Sequence, residues 1–345
     1  MTAVLAGRSI LLLDARLLIS STLIPRRALL ATAAAALVAF AAWGATKAID
    51  PGALRDAFAA VSWAWVAAAG IAYAAGQICS GLLWGVGLRA GGVGGVGRRH
   101  VMSAYWIGHG AGELLPAQLG QAVRYAVIRR HPVAGAGCGL RVAGSLGACK
   151  VIDGLVTFVV AAVATVVIPL PDAASFLRWV ALGALVGLAG ALVVVRRLRP
   201  EQVARFLPRR ARGPMLGFCE GASMLGRGRQ TLVAIALQLG AVAGRVVSLA
   251  FLLHAFGMPA AAALLVFALL VMSGLIAISP GGVGVREAAL VPALVATYGI
   301  GANTVLAFSL GVQATALGVS LTGAALALLT ARFWPPSPVG AVRTA

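Results

Sequence analysis

Ser279-Pro280-Gly281-Gly282-Val283-Gly284-Val285-Arg286-Glu287 breaks into a long apolar region, and the reading of this stretch decides the fold. Proline removes a backbone donor and clashes with the preceding turn, and glycine loosens the chain, so a helix arriving here must stop and restart. A second stretch, Leu115-Pro116-Ala117-Gln118-Leu119-Gly120-Gln121-Ala122-Val123-Arg124, follows the same order: Pro, then Gly four residues on, then Arg within the next turn. Interrupted backbone at membrane depth is tolerated only where protein or a water-filled cavity satisfies it.

Outward from these two tips the chain is apolar. Of 345 residues, 61% are hydrophobic and 11% charged, too few polar groups to coat a soluble domain of this size. Apolar runs of the roughly 20 residues that cross a bilayer are expected at 28–47, 61–88, 134–168, 174–195, 230–256 and 303–331. The fold class is therefore all-α, a polytopic integral membrane protein of about six full spans plus two re-entrant or hairpin segments.

Basic residues set the expected orientation. Arg89, Arg98 and Arg99 follow the second run, and the 196–229 loop carries Arg196, Arg197, Arg199, Arg205, Arg209, Arg210, Arg212, Arg227 and Arg229. Both loops belong on the cytoplasmic side, as do the two termini. Residues 101–131 then leave and return on the inner face, and 260–300 on the outer one. Two similar hairpins of opposite direction predict an inverted-topology repeat, repeat one covering about 61–168 and repeat two about 230–331. The sequence leaves open whether the second hairpin dips partway or spans twice.

Residues 1–27 read as an uncleaved interfacial tail, since the modest apolar stretch containing Asp14 meets Pro25-Arg26-Arg27 rather than a small-residue cleavage site. Residues 28–331 form the single transmembrane domain and 332–345 a cytoplasmic tail. Within the basic loop, Val203, Phe206 and Leu207 fall on one side of a short helix suited to the inner leaflet. The net charge of +19 is spread between apolar runs, not gathered with stacking aromatics, which argues against nucleic acid. Cys79, Cys138, Cys149 and Cys219 show no CxxC pair or metal-ligand spacing, so neither a metal nor a cofactor is expected.

A helix restarting after each break offers free N–H groups and a positive dipole end to an anion. Pro116, Gly120, Arg124, Pro280, Gly281, Gly282, Gly284, Arg286 and Glu287 are accordingly the expected substrate-binding residues, with the two arginines as phosphate ligands and Glu287 orienting Arg286. A charge at mid-bilayer costs about 2.5–3.5 kcal/mol on the lenient scale, so intramembrane charges need partners or water. His109 and Glu113 share a helix face, as do Lys150 and Asp153, and Arg245, lacking a local partner, is expected to reach Glu287 or Glu113. Gly81/Gly85, Gly108/Gly112 and Gly240/Gly244 fit close helix packing. No catalytic residue is expected, because Ser320 has only His254, in another span, as a candidate base.

The pattern Leu115-Pro116, Gly120, Arg124, then Lys150 and Asp153, then Pro280 to Glu287, resembles the lysylphosphatidylglycerol synthase transmembrane (flippase-type) family over about residues 28–331. Gly120-Gln121 and Cys149 depart from the family's usual acidic positions. The resemblance implies a bacterial inner-membrane protein with paired re-entrant helices that moves an anionic or phosphate-bearing lipid between leaflets. Without the soluble synthase domain, it is not expected to aminoacylate lipid. It equally allows a non-catalytic scaffold for an enzyme of envelope-lipid synthesis. The expected partners are membrane lipids, with room for a lipid-modifying enzyme or a second copy as a homodimer.

Overall fold

In hydrocarbon a helix satisfies every backbone group within its own segment, so an apolar run long enough to cross a bilayer folds as a helix. The computed structural model describes residues 51–114, 119–129, 138–167, 176–197, 208–276 and 284–332, and among them there is helix but no strand. The expected span at 28–47, the tails at 1–27 and 333–345, the segment 203–207, and Pro116, Pro280, Gly281 and Gly282 lie outside the described residues.

The helices are α1 (Pro51–Ala59), α2 (Trp63–Ala90), α3 (Arg98–Leu114), α4 (Leu119–Arg129), α5 (Gly139–Val167), α6 (Phe176–Arg197), α7 (Arg209–Gly221), α8 (Gly228–Ala255), α9 (Ala263–Ile276), α10 (Val285–Tyr298) and α11 (Ala302–Arg332). Short 3₁₀ turns precede α8 and α9. Among the described residues four helices, α2, α5, α8 and α11, are long and apolar enough to cross a membrane, which makes this an integral membrane protein. They match the expected runs at 61–88, 134–168, 230–256 and 303–331 to within a few residues. The run at 174–195 is the 22-residue helix α6.

The two stretches around the tips contain shorter helices. Helices α9 and α10 have 14 residues each, about 21 Å at 1.5 Å per residue, which is less than the roughly 30 Å of bilayer hydrocarbon. Helices α3 and α4, with 17 and 11 residues, flank the first tip and pack against each other.

The packing pairs up. Helix α2 lies along α8; α3 packs on α4 and α11, and α9 packs on α10 and α5; α4 touches α5, and α10 touches α11. Exchanging α2 with α8, α3 with α9, α4 with α10 and α5 with α11 maps the first pairing onto itself and each of the others onto another. Small residues make the central pairing possible, because a Cβ on Gly76 would meet the Ala241 carbonyl oxygen at 2.9 Å and one on Gly244 would meet the Ala72 carbonyl oxygen at 2.8 Å.

Helix α7 packs on α5 within the basic loop. Arg141 and Glu220 join them by an ion pair of 2.7 Å with both side chains about half exposed, so it contributes little to stability.

Candidate functional site

Where α2, α3, α4, α5, α8, α9, α10 and α11 converge they leave a cavity of about 350 Å³ in which His109, Glu113, Arg124, Lys150, Asp153, Arg245 and Arg286 all take part. Four cations and two carboxylates thus line one cavity of an apolar helix bundle, Lys150 with about half of its side chain exposed. Ionised side chains are stable there only with partners or water, so their gathering in one cavity is an arrangement suited to a charged ligand.

Asp153 on α5 holds much of this set together. Its carboxylate lies 3.3 Å from Lys150 Nζ and 3.7 Å from Arg245 Nη1, and Gln238 Nε2 donates to it at 2.5 Å. The i,i+3 pairing of Lys150 with Asp153 follows from their spacing on one helix face. Arg245, expected to reach Glu287 or Glu113, instead pairs with Asp153. Its helix α8 packs against α5, and this brings the mid-helix guanidinium beside the nearest carboxylate.

Arg124 on α4 lies over the Tyr105 ring, its guanidinium carbon 4.1 Å from the ring centroid, and Nη1 donates to Gln121 Oε1 at 3.4 Å. Its Nε is buried and has no hydrogen-bond partner among the described residues. A planar cation stacked on one face with donors left over is pre-positioned for an oxyanion. Arg286 on α10 lines the same cavity, as Glu113 does, and has no ion pair among the described residues.

An aromatic wall completes the cavity. Tyr105 OH donates to Gln77 Oε1 at 2.7 Å, and Tyr73 Oη lies 3.4 Å from His109 Nε2, a hydrogen bond whose direction follows the imidazole tautomer. The His109 ring stacks between Tyr73 and Tyr105, with centroids 6.3 and 5.8 Å away. His109 and Glu113 line the same cavity, and the ring contacts of His109 are with Tyr73, Tyr105 and Trp106. Sequence reasoning did not find Tyr73, Gln77, Tyr105 and Gln238. The available signal was an amide in the middle of an apolar span, since Gln77 and Gln238 are both buried.

Three expected ligand residues sit elsewhere. Gly120 faces Gly108 and Gly112 where α3 and α4 cross, and a Cβ there would meet Gly112 Cα at 2.8 Å. It is a close-approach position of the hairpin. Gly284, at φ +88°, starts α10 in a conformation that L side chains rarely adopt. Glu287 turns back onto that start: Gly284 N–H donates to Oε2 at 2.6 Å, while Ser309 Oγ and Gln313 Nε2 of α11 donate to Oε1 at 2.8 and 2.6 Å. It clasps α10 to α11 and does not line the cavity. Ser320 Oγ donates to the Ala316 carbonyl at 2.6 Å within its own helix, and His254 packs edge-on against Trp65, so the two do not form a nucleophile and base.

Residues 27–323 match the family model of the lysylphosphatidylglycerol synthase TM region. The chain belongs to this family. The match covers α1 to α10 and the first two thirds of α11, and with them every residue that lines the cavity of this lysylphosphatidylglycerol synthase TM-region protein; the family gives the protein a role related to membrane lipid. No curated protein matches the chain.

Proposed function

We propose that this protein is a lipid transporter of the bacterial inner membrane that moves an anionic or phosphate-bearing lipid between leaflets. The headgroup passes through the central cavity, held by Arg124 from one hairpin and Arg286 from the other, while the acyl chains stay in the bilayer. The observation that carries this reading is the excess of cations over carboxylates in that cavity, which lies among helices with no other use for charge. A guanidinium binds phosphate through a planar fork, and few other ligands would return the cost of holding four cations at this depth.

The short paired helices support two re-entrant hairpins, and the exchange of packing partners supports an inverted repeat. The basic residues between the apolar runs favour cytoplasmic N- and C-termini. In that arrangement the two arginines are related positions that engage the headgroup from opposite leaflets in turn.

The test is translocation of fluorescent phosphatidylglycerol in vesicles reconstituted with the full chain. Arg124→Ala and Arg286→Ala should each abolish movement while the helical circular dichroism is retained. Arg124→Lys should restore it only in part, since lysine keeps the charge and loses the fork. Transport unchanged in both alanine variants removes the arginines from the mechanism. If a stoichiometric enzyme also copurifies, the chain is a scaffold.

A further inference from the structure

Among the described residues, six buried side-chain polar atoms have no hydrogen-bond partner, and three of them belong to residues of the one cavity: Trp84 Nε1, Arg124 Nε and Ser80 Oγ. Trp84 and Ser80, both on α2, are 2% and 8% exposed. We propose that these three groups form an oxyanion subsite for the phosphodiester of the headgroup, with Trp84 and Ser80 as ligands beside Arg124. The proposal rests on the transport reading above and adds which part of the headgroup is held, and by what.

Unmade bonds of this kind need a reason, because buried polar groups ordinarily find partners. A helical serine in an apolar bundle turns its hydroxyl onto a carbonyl one turn back, as Ser145, Ser273 and Ser320 do here. Ser80 does not. A buried indole N–H likewise usually meets an acceptor, and Trp84 has none among the described residues. An indole N–H and a guanidinium Nε–H only donate, so what answers them is an acceptor. The unprotonated oxygens of a phosphodiester accept and donate nothing. An ammonium group, which only donates, would leave both groups unanswered and would meet the four cations of the cavity besides.

Tyr105 draws the three groups together. Its hydroxyl donates to Gln77 at 2.7 Å, a Cβ on Gly81 would meet its Cγ at 3.2 Å, and the Arg124 guanidinium carbon lies 4.1 Å from its ring centroid. Gln77, Ser80 and Trp84 follow at i, i+3 and i+7, on one face of α2. The ring thus sets Arg124 beside the stretch of α2 that carries the hydroxyl and the indole. All three atoms are covered in this structure, so the wall yields as the headgroup enters, and new hydrogen bonds offset that movement only for a ligand that brings acceptors.

The experiment titrates dioctanoylphosphatidylglycerol, and separately inorganic phosphate, into the full chain in detergent micelles, with binding read by calorimetry. Ser80→Ala and Trp84→Phe should each weaken the lipid by about tenfold, equivalent to about 1.4 kcal/mol. Ser80→Ala should leave the thermal unfolding midpoint no lower, since the hydroxyl it removes makes no bond. Combined with Arg124→Ala, it should cost less than it does alone, because the groups act as one site. Thr297→Val removes another unpartnered hydroxyl, one outside the cavity, and should leave affinity unchanged.

Affinity unchanged in both variants overturns the subsite, as does a lowered unfolding midpoint in Ser80→Ala at unchanged affinity, which marks a structural hydroxyl. Should Trp84→Phe fail to fold, Ser80→Ala decides alone. Lipid binding that shows these losses, in a chain that moves no lipid in vesicles, sustains the subsite and rejects the transport reading. Inorganic phosphate that binds as tightly as the lipid, with the same losses, sustains the subsite and makes its ligand a free anion. Binding of neither probe overturns it.

Discussion

Removing the charge of Asp153 should loosen the junction of α5 and α8 by an amount that depends on whether Arg245 is still present. The Arg245–Asp153 pair is 3.7 Å apart with 27% and 26% of the side chains exposed. At an effective dielectric constant of about 20, two unit charges at that distance attract by about 4–5 kcal/mol before the cost of removing them from water. Desolvation cancels most of this, so a coupling of about 1–3 kcal/mol is expected. Asp153→Asn alone also strands Lys150 and weakens the bond from Gln238, and should cost about 2–4 kcal/mol. Arg245→Met alone should cost about 1–2 kcal/mol. In Asp153→Asn/Arg245→Met the stranded cation is gone, and the loss should be smaller than the sum of the two by the coupling energy. The assay is reversible unfolding in mixed micelles, with sodium dodecyl sulfate as titrant and far-ultraviolet circular dichroism as the signal. Additivity of the two single variants to within about 0.5 kcal/mol would refute the pairing.

Three further outcomes follow from packing and hydrogen bonding. Gly76→Val should destabilise the protein by about 1–3 kcal/mol in the same titration, because the Ala241 carbonyl leaves no room for Cβ, whereas Gly318→Ala should be neutral. Glu287→Gln weakens an acceptor shared by Gly284, Ser309 and Gln313; hydrogen exchange at the start of α10 should speed up and stability fall by about 1.5–3 kcal/mol. Tyr105→Phe leaves the buried Gln77 Oε1 without that donor and should cost about 1–3 kcal/mol, while Arg124 keeps its aromatic face.

What the sequence made legible were charges and lengths. An Arg, Lys, Asp or Glu in hydrocarbon is expensive wherever it sits, so Glu113, Arg124, Lys150, Asp153, Arg245 and Arg286 stood out, and all of them line one cavity. The helices α2, α5, α8 and α11 were equally visible, since bilayer thickness fixes the length of an apolar run. Partner choice was not legible: Arg245 pairs with a residue nearly a hundred positions away through helix packing that no local spacing encodes. Tyr73 and Tyr105 were missed because aromatic residues also occur in lipid-facing belts, and a single sequence does not separate the two faces of a helix apolar all round. Gly120 was assigned to a ligand because a glycine beside a proline suggests an open backbone. The space it vacates is taken up by the facing helix instead.

The exchange of packing partners relates Arg124 on α4 to Arg286 on α10, yet their surroundings differ. Arg124 rests on Tyr105 and bonds Gln121, so its plane is fixed before any ligand arrives. Arg286 lines the same cavity as Glu113 and makes no ion pair among the described residues. One guanidinium is therefore held in place by its neighbours, and the other is positioned through its backbone. Glu287 does that positioning: by clasping the start of α10 to α11 it fixes the chain just before Arg286.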